Sequence, residues 1–92
     1  MASEKIIERF CVEEAKRRGG QAVKGTAANT KGFPDRTILL PGGTIGFLEL
    51  KGSSGRVTRL QEHWINKLRG LGFKAEVANS KEAVKEFLDS LC

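Results

Sequence analysis

The chain has 92 residues, 39% hydrophobic and 29% charged, which suits one small soluble domain over 1–92 and excludes a long disordered tail. Sixteen Lys and Arg against eleven Asp and Glu leave a formal charge of +5, so the expected partner is a polyanion, nucleic acid before an anionic membrane. No apolar run approaches the ~18 residues of a bilayer span, and the N-terminus enters an acidic amphipathic stretch with no signal-peptide core. Two cysteines, one histidine and no CxxC spacing argue against a zinc site or a disulfide scaffold. An intracellular protein with reduced thiols is expected, with Cys11 in the core and Cys92 at a frayed end.

Residues 3–18 predict a helix. Ser3 can cap it and Glu4 suits its first turn. Ile6, Ile7, Phe10, Cys11 and Ala15 form its apolar stripe, and Gly19-Gly20 ends it. Residues 21–24 predict a short strand and 25–33 a polar, glycine-bounded loop. Residues 34–40 and 44–51 predict two strands joined at Pro41-Gly42-Gly43. After the Gly52–Gly55 loop, a helix is expected over 58–70, with Leu60, Trp64, Leu68 and Leu71 as its buried stripe. Residues 73–77 predict the last strand. Ser80 caps a final helix running to Leu91, with Ala83, Val84, Phe87, Leu88 and Leu91 turned inward. The order α-β-β-β-α-β-α predicts an α/β fold, a sheet of about four strands flanked by helices. Positive charge concentrates mid-chain: from Lys24 to Lys74 there are nine Lys/Arg and three acids.

If the hairpin turn centres on Gly42, Leu40 faces Thr44 and Asp35 faces Glu49. Phe47, Glu49 and Lys51 then share one face, and Leu48 and Leu50 take the other. Two carboxylates directly opposite repel each other. A divalent cation held by both would offset that, and so would a simple ion pair with Lys51 or a solvated cross-strand ladder with Arg36. Two facts favour chemistry over a ladder. Glu49 and Lys51 interrupt an apolar strand, where unpaired charge is costly, and the acid pair lies in the most basic part of the chain. Two acids beside a lysine are the groups that cation-assisted phosphodiester hydrolysis needs.

The ordered set Gly32-Phe33-Pro34-Asp35-Arg36, Glu49-Leu50-Lys51 and Gln61 resembles the PD-(D/E)xK nucleases. With the Glu4-x-x-Ile7 helix start, Gly19-Gly20, Lys24, Pro41-Gly42-Gly43 and Leu71-Gly72-Phe73, it resembles more narrowly the VRR-NUC domain, a virus-type replication-repair nuclease module. The resemblance implies a restriction-endonuclease-like core with a mixed sheet. It implies Mg²⁺ (or Mn²⁺) held by Asp35, Glu49 and the Leu50 carbonyl, Lys51 as the catalytic lysine, and Gln61 turned toward the site. It also implies a glutamate from the first helix, for which Glu4 and Glu8 both qualify. A homodimer acting on branched or junction DNA in a Holliday-junction-resolvase-like manner is implied as well, in DNA repair or in a phage or bacterial setting. No small-molecule cofactor is expected.

Arg36 is either a phosphate contact or the ion-pair partner of Asp35 or Glu49. Lys24, Lys31, Arg56 and Arg59 suit a patch that tracks a phosphate backbone. His63 is expected on the surface and Trp64 in the core or a dimer contact. Two other classes stay open: a branched-DNA-binding module that recruits a partner without cutting, and, more weakly, a membrane-surface protein. Neither terminal helix combines a basic face with an aromatic apolar one, which counts against the membrane.

Overall fold

Pro41-Gly42-Gly43 turns the chain back on itself in the expected register, with Leu40 opposite Thr44 and Arg36 opposite Leu48. The computed structural model describes residues 2–25 and 30–91, so Cys92 and the middle of the 25–33 loop lie outside the described residues. Seven elements follow in the expected order: α1 (Glu4–Arg17), β1 (Gln21–Lys24), β2 (Arg36–Leu40), β3 (Thr44–Leu50), α2 (Arg59–Gly70), β4 (Lys74–Ala78) and α3 (Lys81–Leu91). The sheet order is β1-β2-β3-β4. The first three strands run antiparallel, and β4 joins β3 in parallel. That parallel pair needs a crossover, which α2 supplies. The fold is therefore α/β, with a mixed four-stranded sheet between helices.

Side-chain alternation divides the sheet into two faces. Ala22, Ile38, Leu40, Leu48, Leu50 and Ala78 point to one side, where they meet Ile7, Cys11 and Ala15 of α1 and Val84, Phe87, Leu88 and Leu91 of α3. Phe47 and Ala75 point to the other side, under Ile65 and Leu68 of α2, with Phe33 and Val77 at the margin. The caps expected at Ser3 and Ser80 are formed, each hydroxyl accepting from the backbone three residues on. Cys11 is buried and free, and burial pushes its thiol up to about 11.

Two stripes differ from expectation. On α1, Ile6 is exposed, and the charged Glu14 is buried beside Ile7, Cys11 and Ala15. Glu14 is tolerated there because Arg17 and Arg18 both donate to it and hold its carboxyl down at about 2. Arg18 also pairs with Asp89 of α3 at 2.7 Å, tying the first helix to the last. On α2, the buried residues are Ile65 and Leu68, while Leu60 is exposed and Leu71 is 66% exposed. The helix is rotated by about one residue from the expected Leu60/Trp64/Leu68/Leu71 phase. Gly32, at φ +86°, lies close against the flank of α2. A Cβ there would lie 2.7 Å from Leu60, so the loop before β2 occupies Leu60. Trp64 is half-buried against Phe33.

Candidate active site

The rotation of α2 brings Gln61 into line with Ile65 and Leu68, over the sheet. Gln61 then does two things. It sits three residues after Thr58 and closes a capping box, its backbone N–H donating to Thr58 Oγ1 and its Oε1 accepting from the Thr58 N–H. Its remaining amide group, Nε2, donates to Glu49 Oε2 at 2.9 Å. The Thr58-x-x-Gln61 spacing is visible in the sequence and is the signal that fixes this glutamine.

Glu49 is 2% exposed on the α2 face of β3. Lys51, two residues on and on the same face, places its Nζ 3.5 Å from Glu49 Oε2. Asp35 lies one residue before β2 and is fixed at both ends. Its Oδ2 accepts from the Leu50 N–H at 2.9 Å, and its backbone carbonyl accepts from the Gly25 N–H at 2.7 Å. Gly25 permits that approach, since a Cβ there would lie 2.5 Å from the Pro34 carbonyl oxygen. The Asp35 carboxyl, held on the Leu50 N–H, lies close enough to Glu49 for its charge to act on that side chain. Burial first, and the Asp35 charge second, push the Glu49 carboxyl up to about 7, against the opposing pull of Lys51.

Glu49 Oε1 is buried without a hydrogen-bond partner. A desolvated carboxylate oxygen on a group that also feels a second negative charge is costly, and a cation shared by Asp35 and Glu49 would relieve both the desolvation and the repulsion. Among the described residues no group of three or more His, Cys, Asp or Glu gathers, so Asp35 and Glu49 form a pair and not a cage. Two hard oxygen donors without sulfur or imidazole suit Mg²⁺ or Mn²⁺ and do not suit structural zinc. The residues present fit a divalent cation that keeps other positions for water or phosphate.

The remaining sequence-derived residues divide by face. Arg36 follows Asp35 directly, so alternation turns it to the opposite face. There its guanidinium pairs with Glu8 at 3.1 Å and donates to the Ala22 carbonyl. Of the two readings of Arg36, the ion pair with Asp35 or Glu49 gives way to one with Glu8. Glu8 in turn is engaged on the α1 side, away from Glu49. Lys24 lies opposite Arg36 in register and shares its face. Glu4 is exposed at the start of α1, and its backbone lies next to Gly52, just past Lys51. Lys31 and Arg56 are exposed in the loops before β2 and α2, and Arg59 is exposed in the first turn of α2. His63 is exposed as expected.

The model of one protein family, the VRR-NUC domain, matches residues 1–82. A protein of Acyrthosiphon pisum secondary endosymbiont phage 1, named "Putative nuclease p44", is 36% identical over 81 residues, covering 86% of this chain and 85% of its own length. A solved structure of a VRR-NUC domain superposes with a TM-score of 0.85 at 23% identity, covering 97% of each chain, and shares the fold described above. On the family match and the phage relative together, the chain belongs to the VRR-NUC domain family.

Proposed function

We propose that this chain is a divalent-cation-dependent endonuclease that hydrolyses phosphodiester bonds in DNA. The observation that carries this is Glu49, buried, with one oxygen unpartnered, beside Asp35 and Lys51. The phage relative's name and the family's supply the reaction class. In this assignment Asp35, Glu49 and the Leu50 carbonyl hold Mg²⁺ or Mn²⁺. The bound cation would supply Lewis-acid stabilisation of the phosphate and lower the pKa of a water.

The chain's own residues do the rest. Leu50 N–H orients Asp35, and Gln61 orients Glu49, so neither carboxylate needs to reorganise. The Lys51 ammonium stabilises charge developing on the phosphate oxygens. The water oxygen bonds to phosphorus as the bond to the 3′ oxygen breaks; the attacking water gives up a proton to solvent, and solvent supplies the proton that the 3′ oxygen takes up. Glu4, beside Gly52, is the first-helix carboxylate we place at the margin of the site. Lys31, Arg56 and Arg59 contact phosphates on the α2 side.

We take residues 1–92 to act as one module, inside the cell that holds the DNA, on branched or junction substrates and as a homodimer. Two features support the dimer. The chain is small for a four-way junction, and α2 leaves Val23, Leu39 and Ile45 exposed on its face of the sheet. No helix among the described residues is long and apolar enough to cross a membrane.

The test incubates plain duplex, forked and four-way-junction DNA with the protein in Mg²⁺, in Mn²⁺ and in EDTA. Nicking is expected with either cation, fastest on branched substrates, and none in EDTA. Asp35→Ala and Lys51→Ala should still bind and should cut at least about a thousandfold more slowly. Binding in every lane with nicking in none would leave a recruitment module in place of an enzyme. Sedimentation at micromolar concentration reads the dimer.

A further inference from the structure

Arg56 and Arg59, exposed just before and at the start of α2, are the cations assigned above to the α2 side of the acid pair. A second group of cations, on the opposite face of the sheet, lies at the same end of the molecule. It is built by α1 and the start of β2. Lys5, Glu8, Arg9, Val12 and Arg36 line an open groove of about 450 Å³. Three cations face one carboxylate there, and that carboxylate is already shared with Arg36. Lys24 adds a fourth positive charge on the same face, directly across from Arg36.

Three facts make this more than scattered surface charge. First, Arg36 is the residue next to Asp35, so the groove begins one residue from a proposed cation ligand. Second, the Arg36 side chain is only 14% exposed and is held from two sides, by Glu8 and by the Ala22 carbonyl. Its charge is therefore fixed in place and does not wander in solvent. Third, Arg36 Nε is buried without a hydrogen-bond partner, so Glu8 and Ala22 together do not satisfy this guanidinium. A rigid, incompletely compensated guanidinium flanked by exposed lysine and arginine heads is a setting for a phosphodiester anion.

Resting on the nuclease assignment of the acid pair, we infer that Lys5, Arg9, Lys24 and Arg36 form a cradle for a non-scissile phosphate of the same DNA, so that the backbone passes around the end of the sheet from the α2 face to the α1 face. Arg36 is the fixed post. Lys5 and Arg9, both exposed on α1, close over the phosphate. Glu8 limits the attraction, since it already takes part of the Arg36 charge.

Binding tests this without any cleavage. Affinity for a fluorescein-labelled forked duplex is measured by anisotropy in EDTA over a range of NaCl concentrations. The proteins are wild type, Lys5→Ala/Arg9→Ala, and a charge-matched control, Lys16→Ala/Lys67→Ala. The control residues lie in the last turns of α1 and α2, away from the helix starts at the site. Removing each phosphate-neutralising cation should reduce the slope of log Kd against log salt by ~0.9, so the slope should fall by about 1.8 in the groove variant and stay unchanged in the control. With saturating DNA and Mg²⁺, the groove variant should nick at the wild-type kcat, and its circular dichroism melt should be unchanged. An unchanged slope, or an equal reduction in the control, overturns the cradle. A lowered kcat at saturation overturns it too, since a binding-only site would not move it. A wild type that binds with the expected slope yet never nicks would sink the nuclease assignment and leave the cradle standing.

Discussion

Among the described residues, the face of the sheet under α1 and α3 gathers thirteen buried apolar residues from six elements, and the face under α2 gathers four. The larger cluster is a dry, interlocked core. The smaller shares its face with Asp35, Glu49, Lys51 and Gln61, and leaves Val23, Leu39 and Ile45 uncovered. One strand serves both faces: Leu48 and Leu50 point into the core, while Phe47 and Glu49 point under α2. Placing most of the stabilising burial on one side lets the other side carry two mutually repelling carboxylates in a partly desolvated setting.

The sharpest way to break this contrast is to change neighbours on β3 in turn. Glu49→Gln keeps the hydrogen bond from Gln61 but removes the buried charge. Cleavage should fall by at least about a thousandfold, while urea unfolding without added cation should show about 1 kcal/mol of added stability. Leu48→Ala should do the reverse, costing about 3 kcal/mol and leaving kcat within a few-fold at temperatures where the protein stays folded. If both changes move stability in the same direction, the division of labour between the faces is wrong. A smaller effect sharpens the boundary. Gln61→Ala should lose about 1 kcal/mol from the capping box and roughly tenfold to a hundredfold in cleavage, because Glu49 loses its donor. Thr58→Ala should show a similar stability loss with cleavage intact. A pH profile or cation affinity that shifts with Gln61→Ala but not with Thr58→Ala separates positioning of Glu49 from simple helix support.

How much of this is legible in the sequence depends on which physical rule governs each residue. Period-two alternation and a Pro-Gly-Gly turn fix β2 and β3 and their register, because a slip by one residue would send Leu48 and Leu50 into solvent. The same rule, carried one residue further, turns Arg36 away from Asp35, a consequence that the charge pattern alone obscures. The phase of α2 is not legible. Leu60, Trp64, Leu68 and Leu71 fall at helical spacing, and the loop at Gly32 and Phe33 that lies against the flank of the helix is distant in sequence. Glu14 escapes a sequence reading for a related reason. A buried acid looks too costly until Arg17 and Arg18 are seen to fold back onto it.

The stretch that carries the family's signature stops at residue 82, two residues into α3. Beyond it lie Val84, Phe87, Leu88 and Leu91, all buried, and Asp89, which fastens Arg18. Gly46 of β3 is so closely covered by them that a single methyl there would strike Phe87 and Leu91 at 2.9 Å. Residues 83–91, outside the signature, thus close over the hydrophobic interior. A fragment trimmed to the signature alone would keep every residue proposed for the chemistry and lose the wall that holds β3 flat beneath it.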